Sequence, residues 1–265
     1  VLGGDGTLNE VANGLVDSET ALAAIPGGST NVFARTLGIP DDPIEATGVL
    51  LDSLEAGSTH RIGLGSVNQR YFLFHAGIGF DAAVVEQVEK KGGLLKRFAG
   101  HPLFVIAAIG TWLRYYDKKR PAFRISTRKM GDEEIGDLET TGVEGLFSVC
   151  LNTDPYTYLG TRKISLAPHA NLDTPLAVVT FKNLTLKKLL PVILGALGMG
   201  KTTTSSSRIV DLRSDLTEAQ AIAYKAVPLQ VDGDFLGNFD EFSFKYKAEC
   251  LDVVMPIKPN DFQNS

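Results

Sequence analysis

The sequence predicts an α/β segment followed by a larger antiparallel β region, on three observations. Near the start, strand, glycine-rich turn and helix follow one another twice, the grammar of a parallel α/β unit. After about residue 57 that alternation gives way to short β-rich runs. With 265 residues, the chain is long enough for one large core or two modest ones.

Val1 and Leu2 read as the end of a buried strand, and Gly3 opens a turn at once. A strand tip with no partner before it reads as a fragment whose first βα units are absent, at least one unit of roughly 30 residues. A helix is predicted over 7–16, with Leu8, Val11, Ala12 and Leu15 on one face. A buried strand over 21–25, a turn over 26–30 and a helix over 31–37 repeat the unit. Two strands, 61–67 and 70–77, flank Asn68-Gln69. Helices are expected over 82–91 and 94–116, interrupted by Gly100 and Pro102. Runs over 122–127, 145–151 and 176–181 read as strands, 184–197 as an apolar helix, and 208–212, 227–231, 241–246 and 251–255 as the remaining strands. The expected division is 1–57 and 58–252, with 253–265 a candidate to return to the first part.

A composition of 44% hydrophobic and 22% charged residues is ordinary for a globular protein. A net charge of −5 argues against a general nucleic-acid binder. Cys150 and Cys250 form no C-x-x-C pair, which speaks against a disulfide framework or a zinc site and fits a reducing cytosol. No apolar stretch approaches the roughly 20 residues that span a bilayer, and no signal peptide is visible. The four histidines are scattered and read as structural.

Gly3-Gly4-Asp5-Gly6-Thr7-Leu8-Asn9-Glu10 is the strongest chemical signal. Glycines let a backbone approach a phosphate and supply N–H donors at a helix N-terminus. Asp5 among them can hold Mg²⁺ through water. Alone, the segment reads equally as an Asx-type turn capping a helix. Pro26-Gly27-Gly28-Ser29-Thr30-Asn31-Val32-Phe33-Ala34-Arg35 repeats the device, and two such turns on adjacent strand ends make a phosphate cradle. Gly195-Ala196-Leu197-Gly198-Met199-Gly200-Lys201-Thr202 also fits G-x-x-x-x-G-K-[ST]. A helix precedes it and a strand follows, the wrong order for a phosphate loop, so it reads as a glycine-rich helix end.

The two glycine-rich segments together resemble the nucleotide-binding signature of the diacylglycerol kinase catalytic family, to which sphingosine kinases and bacterial lipid kinases belong and to which NAD kinases are remote kin. Gly77-Ile78-Gly79-Phe80-Asp81-Ala82, the stretch from Pro168-His169-Ala170 to Leu176, and Val231-Asp232-Gly233-Asp234 resemble further family segments in the same order. The resemblance implies an NAD-kinase-like α/β ATP-binding domain followed by an antiparallel β-sandwich. It implies ATP and Mg²⁺ as cofactors and phosphoryl transfer to a lipid hydroxyl, diacylglycerol first, with an NAD kinase-like enzyme or an inactive nucleotide-binding regulator as alternatives. It implies a catalytic set of Asp234 as proton acceptor, Asp5, and Asp81 near the lipid hydroxyl. The nucleotide set is Gly3, Gly4, Asp5, Gly6, Thr7, Asn9, Glu10, Thr30 and Asn31. Mg²⁺ would sit on Asp5 through water, with Asp173 beside the place of a second, structural metal. The implied partner is a lipid at a membrane surface approached from the cytoplasm, with basic clusters at Lys90-Lys91 and Lys96-Arg97 on a solvated face or against anionic headgroups. The oligomeric state stays open, a homodimer being one option. Three departures stand out: Asp234 replaces the family's glutamate, Thr174-Pro175 replaces an aspartate-glycine pair, and the family's N-terminal N-P-x-S-G loop is absent.

Overall fold

The computed structural model describes residues 1–80, 82–83, 86, 120–135, 137, 141–199 and 208–257. Apart from Ala82, Ala83 and Glu86, the helices predicted over 82–91 and 94–116 lie outside the described residues, as do Asp81 and the two basic clusters.

Strands β1 (Leu2–Gly3) and β2 (Ile25–Pro26) are parallel, with Leu2 opposite Ile25 and Gly3 opposite Pro26. Leu2 is 65% exposed, so this strand is not buried as predicted; β2 is its one hydrogen-bonded neighbour among the described residues. Helix α1 (Asp5–Leu15) starts two residues before the expected position, because the extended Gly4 already serves as its N-cap. Its buried Leu8 and Ala12 are one turn apart on the core face. Helix α2 (Val32–Thr36) follows the second turn. Helix α3 (Pro43–Glu55) was not expected. Its signal was present in Asp42-Pro43: the Asp42 carboxylate accepts from Ile44 N and Glu45 N at 2.9 Å each, and Pro43 sits where its missing N–H costs nothing.

The β region runs through β3 (Thr59–Val67), β4 (Arg70–Phe72), β5 (His75–Gly79), β6 (Phe123–Lys129), β7 (Val143–Gly145), β8 (Phe147–Leu151), β9 (Thr157–Leu159), β10 (Arg162–Ile164), β11 (Leu176–Phe181), α4 (Leu186–Ala196), β12 (Val210–Val231) and β13 (Asp234–Val254). All pairings among these strands are antiparallel. Nine of them form one sheet, ordered β11-β8-β5-β12-β13-β3-β4, with β6 paired to β12, β7 paired to β6, and β11 also paired with β12. The β9–β10 hairpin stands apart.

The four short strands predicted beyond residue 207 are in fact two long ones, of 22 and 21 residues. Ala219, Ala221 and Ala223 point inward in alternation, a strand pattern hidden by the low β propensity of alanine. Register shifts between Ile222 and Val227, and between Lys247 and Leu251, let these strands serve different neighbours along their length. Thus β12 pairs with β11 near 210–216, with β6 near 216–223 and with β5 at 229–231. The predicted class, α/β followed by an antiparallel β-sandwich, is the observed one.

One core joins the two regions. Leu8, Phe33 and Leu50 pack in the same cluster as Ile62, Leu64, Leu251 and Val253. Full burial of each such side chain stabilises the fold by about 1.5–3 kcal/mol. Leu22 bridges Val253 in parallel, its N–H donating to Asp252 O at 2.8 Å while Val254 N donates to Leu22 O at 3.0 Å. The end of β13 therefore lies beside β2. Two further cores lie in the β region, one inside the sheet around Phe123, Phe242 and Phe244 and one under α4 around Val149 and Val179. Among the described residues, no helix is long and apolar enough to cross a membrane.

Candidate active site

The parallel pairing of β1 and β2 brings the two glycine-rich turns together at one sheet edge. Gly27 N donates to Gly3 O at 2.9 Å. A Cβ on Gly28 would lie 2.7 Å from Gly4 Cα, so glycine is required for the turns to touch backbone to backbone. The N-cap of α1, Gly4, has no side chain to cap it. The first N–H groups of α1 have no intrahelical partner and carry the positive end of the helix dipole.

Asp5 does something the sequence did not reveal. Its two oxygens accept from Val32 N and Phe33 N, each at 3.0 Å, so the first turn's acid caps the helix after the second turn. Burial raises its carboxyl above the ordinary range; the two N–H donors oppose this, and Asp234 and Asp41 add to it through like charge. Asn31, in the left-handed region at φ 50°, locks the second turn. Its Oδ1 accepts from Gly28 N at 2.7 Å, and its Nδ2 donates to Gly28 O at 3.1 Å and Asp41 Oδ1 at 2.8 Å. Thr30 contributes its carbonyl to Arg35 Nη1 at 3.4 Å.

Asn9 and Glu10 face the β region. Asn9 Nδ2 donates to Tyr71 O at 2.9 Å and to Asp232 Oδ2 at 2.7 Å. Arg70 Nη2 donates to Asn9 Oδ1 at 2.5 Å and to Glu10 Oε1 at 2.6 Å. That guanidinium holds the exposed Glu10 carboxyl below its usual value. Asp232 is the hub, buried in the turn between β12 and β13 with φ 47°. Besides Asn9 it accepts from Leu73 N at 2.7 Å and from Phe74 N and His75 N at 3.1 Å each. Burial pushes its carboxyl up to about 7 while these donors pull the other way. Sequence reasoning missed this three-amide nest at 73–75, formed by residues far away in the chain.

The same turn delivers Asp234. Its Oδ2 lies where a Cβ on Gly6 would come within 2.4 Å. The structure thus brings Asp5, Gly6 and Asp234 together at the start of α1, with Asn9, Glu10 and Asp232 one turn further along. Thr7 is exposed and covers Gly3, whose hypothetical Cβ would meet Thr7 Cβ at 2.7 Å. Asp173 is not in this group: it faces His60, Oδ1 to Nε2 2.5 Å, at the surface. Among the described residues, no three His, Cys, Asp or Glu side chains are grouped to hold a metal. Sequence reasoning also missed the rim contact of Arg35, whose guanidinium lies 3.6 Å from the Tyr158 ring centre and donates to Gly160 O at 3.0 Å. As for the G-x-x-x-x-G-K-T segment, Gly195 and Ala196 end α4 and Gly198 adopts φ +71°, the left-handed C-terminal turn of a helix.

Residues 1–67 match the family model for the diacylglycerol kinase catalytic domain. Over these residues the chain is similar to the diacylglycerol kinase catalytic domain. The match holds both glycine-rich turns. A diacylglycerol kinase of Bacillus subtilis (strain 168) is 48% identical over 80 residues, covering 29% of this chain and 25% of that protein. One of Staphylococcus carnosus (strain TM300) is 36% identical over 102 residues, 38% of this chain and 31% of that protein. The matched part thus spans about a quarter to a third of the curated relatives. A crystal structure of a diacylglycerol kinase from Bacillus anthracis str. Sterne shares the fold over 98% of this chain and 76% of its own, at 19% identity and a TM-score of 0.62. The α/β segment and the β region therefore recur together as one fold.

Proposed function

We propose that the protein transfers the γ-phosphate of ATP to a lipid hydroxyl, with diacylglycerol as the first acceptor and phosphatidic acid as the product. The observation that carries this reading is the convergence of a glycine-capped helix N-terminus, two abutting glycine turns and the Asp234 carboxylate over Gly6. The match of residues 1–67 to the family model of the diacylglycerol kinase catalytic domain supports it.

The residues present fit Mg-ATP. The open N–H groups at the start of α1 suit a phosphate chain. Asp234 adds to the cost of ionising Asp5, and a cation beside Asp5 relieves it. Each Asp5 oxygen takes one N–H and keeps a lone pair for a water on the metal. When bound, Mg²⁺ supplies neutralisation of the phosphate charge. The chain itself then has two tasks. The α1 N-terminus and the turns orient the phosphates, and Asp234 takes the proton of the attacking lipid hydroxyl. Asp232 keeps Asp234 in place by fixing the turn that bears it.

Transfer of isotopic phosphate from ATP to a panel of lipids in mixed micelles, with and without NAD as a competing acceptor, tests the reading. Labelled phosphatidic acid is the expected product; label on NAD alone, or none at all, overturns it. Asp234→Asn should lose about 10²–10⁴-fold in kcat, the range a general base supplies, while calorimetry still detects ATP binding. Asp234→Glu should be tolerated.

A further inference from the structure

Helix α1 grips the β12–β13 turn at two points. Asp234 Oδ2 lies over Gly6, and Asp232 Oδ2 accepts from Asn9 Nδ2 at 2.7 Å. Residues 6 and 9 are three apart, so both grips lie on one face of the helix. The grip at residue 9 depends on how its amide is turned. Asn9 is 3% exposed, and its two ends meet partners of opposite kind. Arg70 Nη2, which can only donate, reaches Oδ1 at 2.5 Å, and Asn13 Nδ2 reaches the same oxygen at 3.2 Å. Tyr71 O, which can only accept, and the Asp232 carboxylate take Nδ2. A turned-over amide would set its NH2 against a guanidinium and its oxygen against a carboxylate. Arg70 therefore fixes which end of Asn9 meets Asp232.

Stability explains Arg70 poorly. Its other partner, Glu10, has a 71% exposed side chain, and an ion pair so placed adds little. Arg70 Nε is buried with no hydrogen-bond partner, which is unfavourable. Asn13 already fastens β4 to α1: its Oδ1 accepts from Tyr71 N at 3.0 Å and its Nδ2 donates to Tyr71 O at 3.1 Å. What Arg70 adds is a cation against Asn9 Oδ1, one helical turn from the point where Asp234 meets Gly6.

We propose that Arg70 is a positioning residue for phosphate transfer: by orienting the Asn9 amide it holds Asp232, and through the β12–β13 turn it aims Asp234 at the start of α1. The proposal rests on the kinase reading above. Arg70 acts through Asn9 and Asp232, not on the phosphates themselves. The turn needs such a hold because Asp232 stands at φ 47°, a backbone conformation that persists only where the surroundings impose it. Freed from Asn9, the turn can relax, and Asp234, two residues on, moves with it.

The test compares the native protein with Arg70→Leu and Arg70→Lys in phosphate transfer from ATP to diacylglycerol in mixed micelles. Arg70→Leu should lose about 10²-fold in kcat, the effect of an ångström of misplacement, with an unchanged KM for ATP and a melting curve close to native. Arg70→Lys keeps a cation for Asn9 Oδ1 without the planar fork, and should recover part of the lost rate. Hydrogen exchange followed by NMR gives a readout apart from activity. The Asn9 side-chain amide and the backbone amides of 73–75 should exchange faster in Arg70→Leu than in the native protein or Arg70→Lys. If Arg70→Leu fails to fold, Arg70→Lys decides: a fall in kcat at native KM and melting curve upholds the proposal, and a native kcat overturns it. A raised KM for ATP at native kcat makes Arg70 a phosphate contact and overturns the proposal. A native kcat in Arg70→Leu, or unchanged exchange at Asn9, does the same. A native protein that transfers phosphate to no lipid, while Arg70→Leu frees the Asn9 amide and Arg70→Lys keeps it, upholds the hold on the turn and overturns the kinase reading alone.

Discussion

The Asp234 carboxylate rests on Gly6, at a spot where any side chain on residue 6 would strike Oδ2 at 2.4 Å. An acid at the start of β13 and a glycine in the first turn of α1 thus define one point, although most of the chain separates them. Gly6 serves there by making room for a carboxylate as well as by baring the backbone to a phosphate.

Gly6→Ala should therefore damage catalysis more than stability. Residue 6 lies inside α1, where alanine is favoured over glycine by up to about 1 kcal/mol. The steric cost falls on Asp234, which must swing aside, and an ångström of misplacement costs about 10²-fold in rate. Initial rates and melting curves measured side by side check this; a native rate would show that Asp234 is not held where the reaction needs it.

Asp5→Asn removes the negative charge from the N-terminus of α2 and turns one of its acceptors into a donor facing an N–H. Loss of such a cap costs about 0.5–2 kcal/mol. That leaves most molecules folded, so a fall in kcat of orders of magnitude measures the separate part of Asp5 at the metal and phosphates. Urea unfolding together with a Mg²⁺ titration of the rate separates the two. A rate that follows stability alone leaves Asp5 as a cap and nothing more.

Asp232→Ala should be the most destabilising single change at the site. It strands four N–H donors, from Asn9, Leu73, Phe74 and His75, three of them backbone. Removing one partner from a buried charged network costs about 3–5 kcal/mol. Denaturant unfolding gives the size of the effect. Hydrogen exchange should show the amides of 73–75 losing protection first; uniform loss across the fold would mean that the contact is not local.

His75 makes stability depend on pH. Its ring is buried against Phe74 and Tyr156, at 4.9 and 4.5 Å between ring centres, and its Nδ1 has no hydrogen-bond partner. Burial drops its pKa from 6.5 to about 3. The unfolded chain therefore binds a proton below pH 6.5 that the folded one refuses until about pH 3. Stability from this group is complete above 6.5 and is lost as pH falls toward 3, by about 1.4 kcal/mol per pH unit at most. Asp232, raised by burial, works in the opposite sense as pH rises from 3.8 to about 7. The difference between native protein and His75→Phe isolates the histidine: the gap in unfolding free energy should close as pH falls from 7.5 to 4.5. A constant gap would place the His75 ring in contact with water.

Much of the fold was legible because local rules were obeyed. Leu8, Val11, Ala12 and Leu15 marked α1, and the run 176–181 marked β11 residue for residue. The hairpin β9–β10 and the inner length of β12 were not legible. Three-residue strands leave no periodicity to read, and in β12 the small Ala219, Ala221 and Ala223 take the buried face while Ile222 and Tyr224 are exposed, which inverts the usual apolar signal.

By itself, the sequence determined the order of the elements, the two glycine-rich turns and the family resemblance those turns carry, since all three are written in contiguous residues. Only the tertiary structure decided what the site residues touch. Asp5 could be read as a metal ligand or a turn-former, yet it caps a helix 27 positions later in the chain. Asn9 could be read as a phosphate contact, yet it ties α1 to Asp232, 223 positions away. The reason is that a polar group must find its partner in space once water is excluded, and that partner is set by how β12, β13 and α1 pack around a shared core. Local sequence carries the donors and acceptors; the packing alone pairs them.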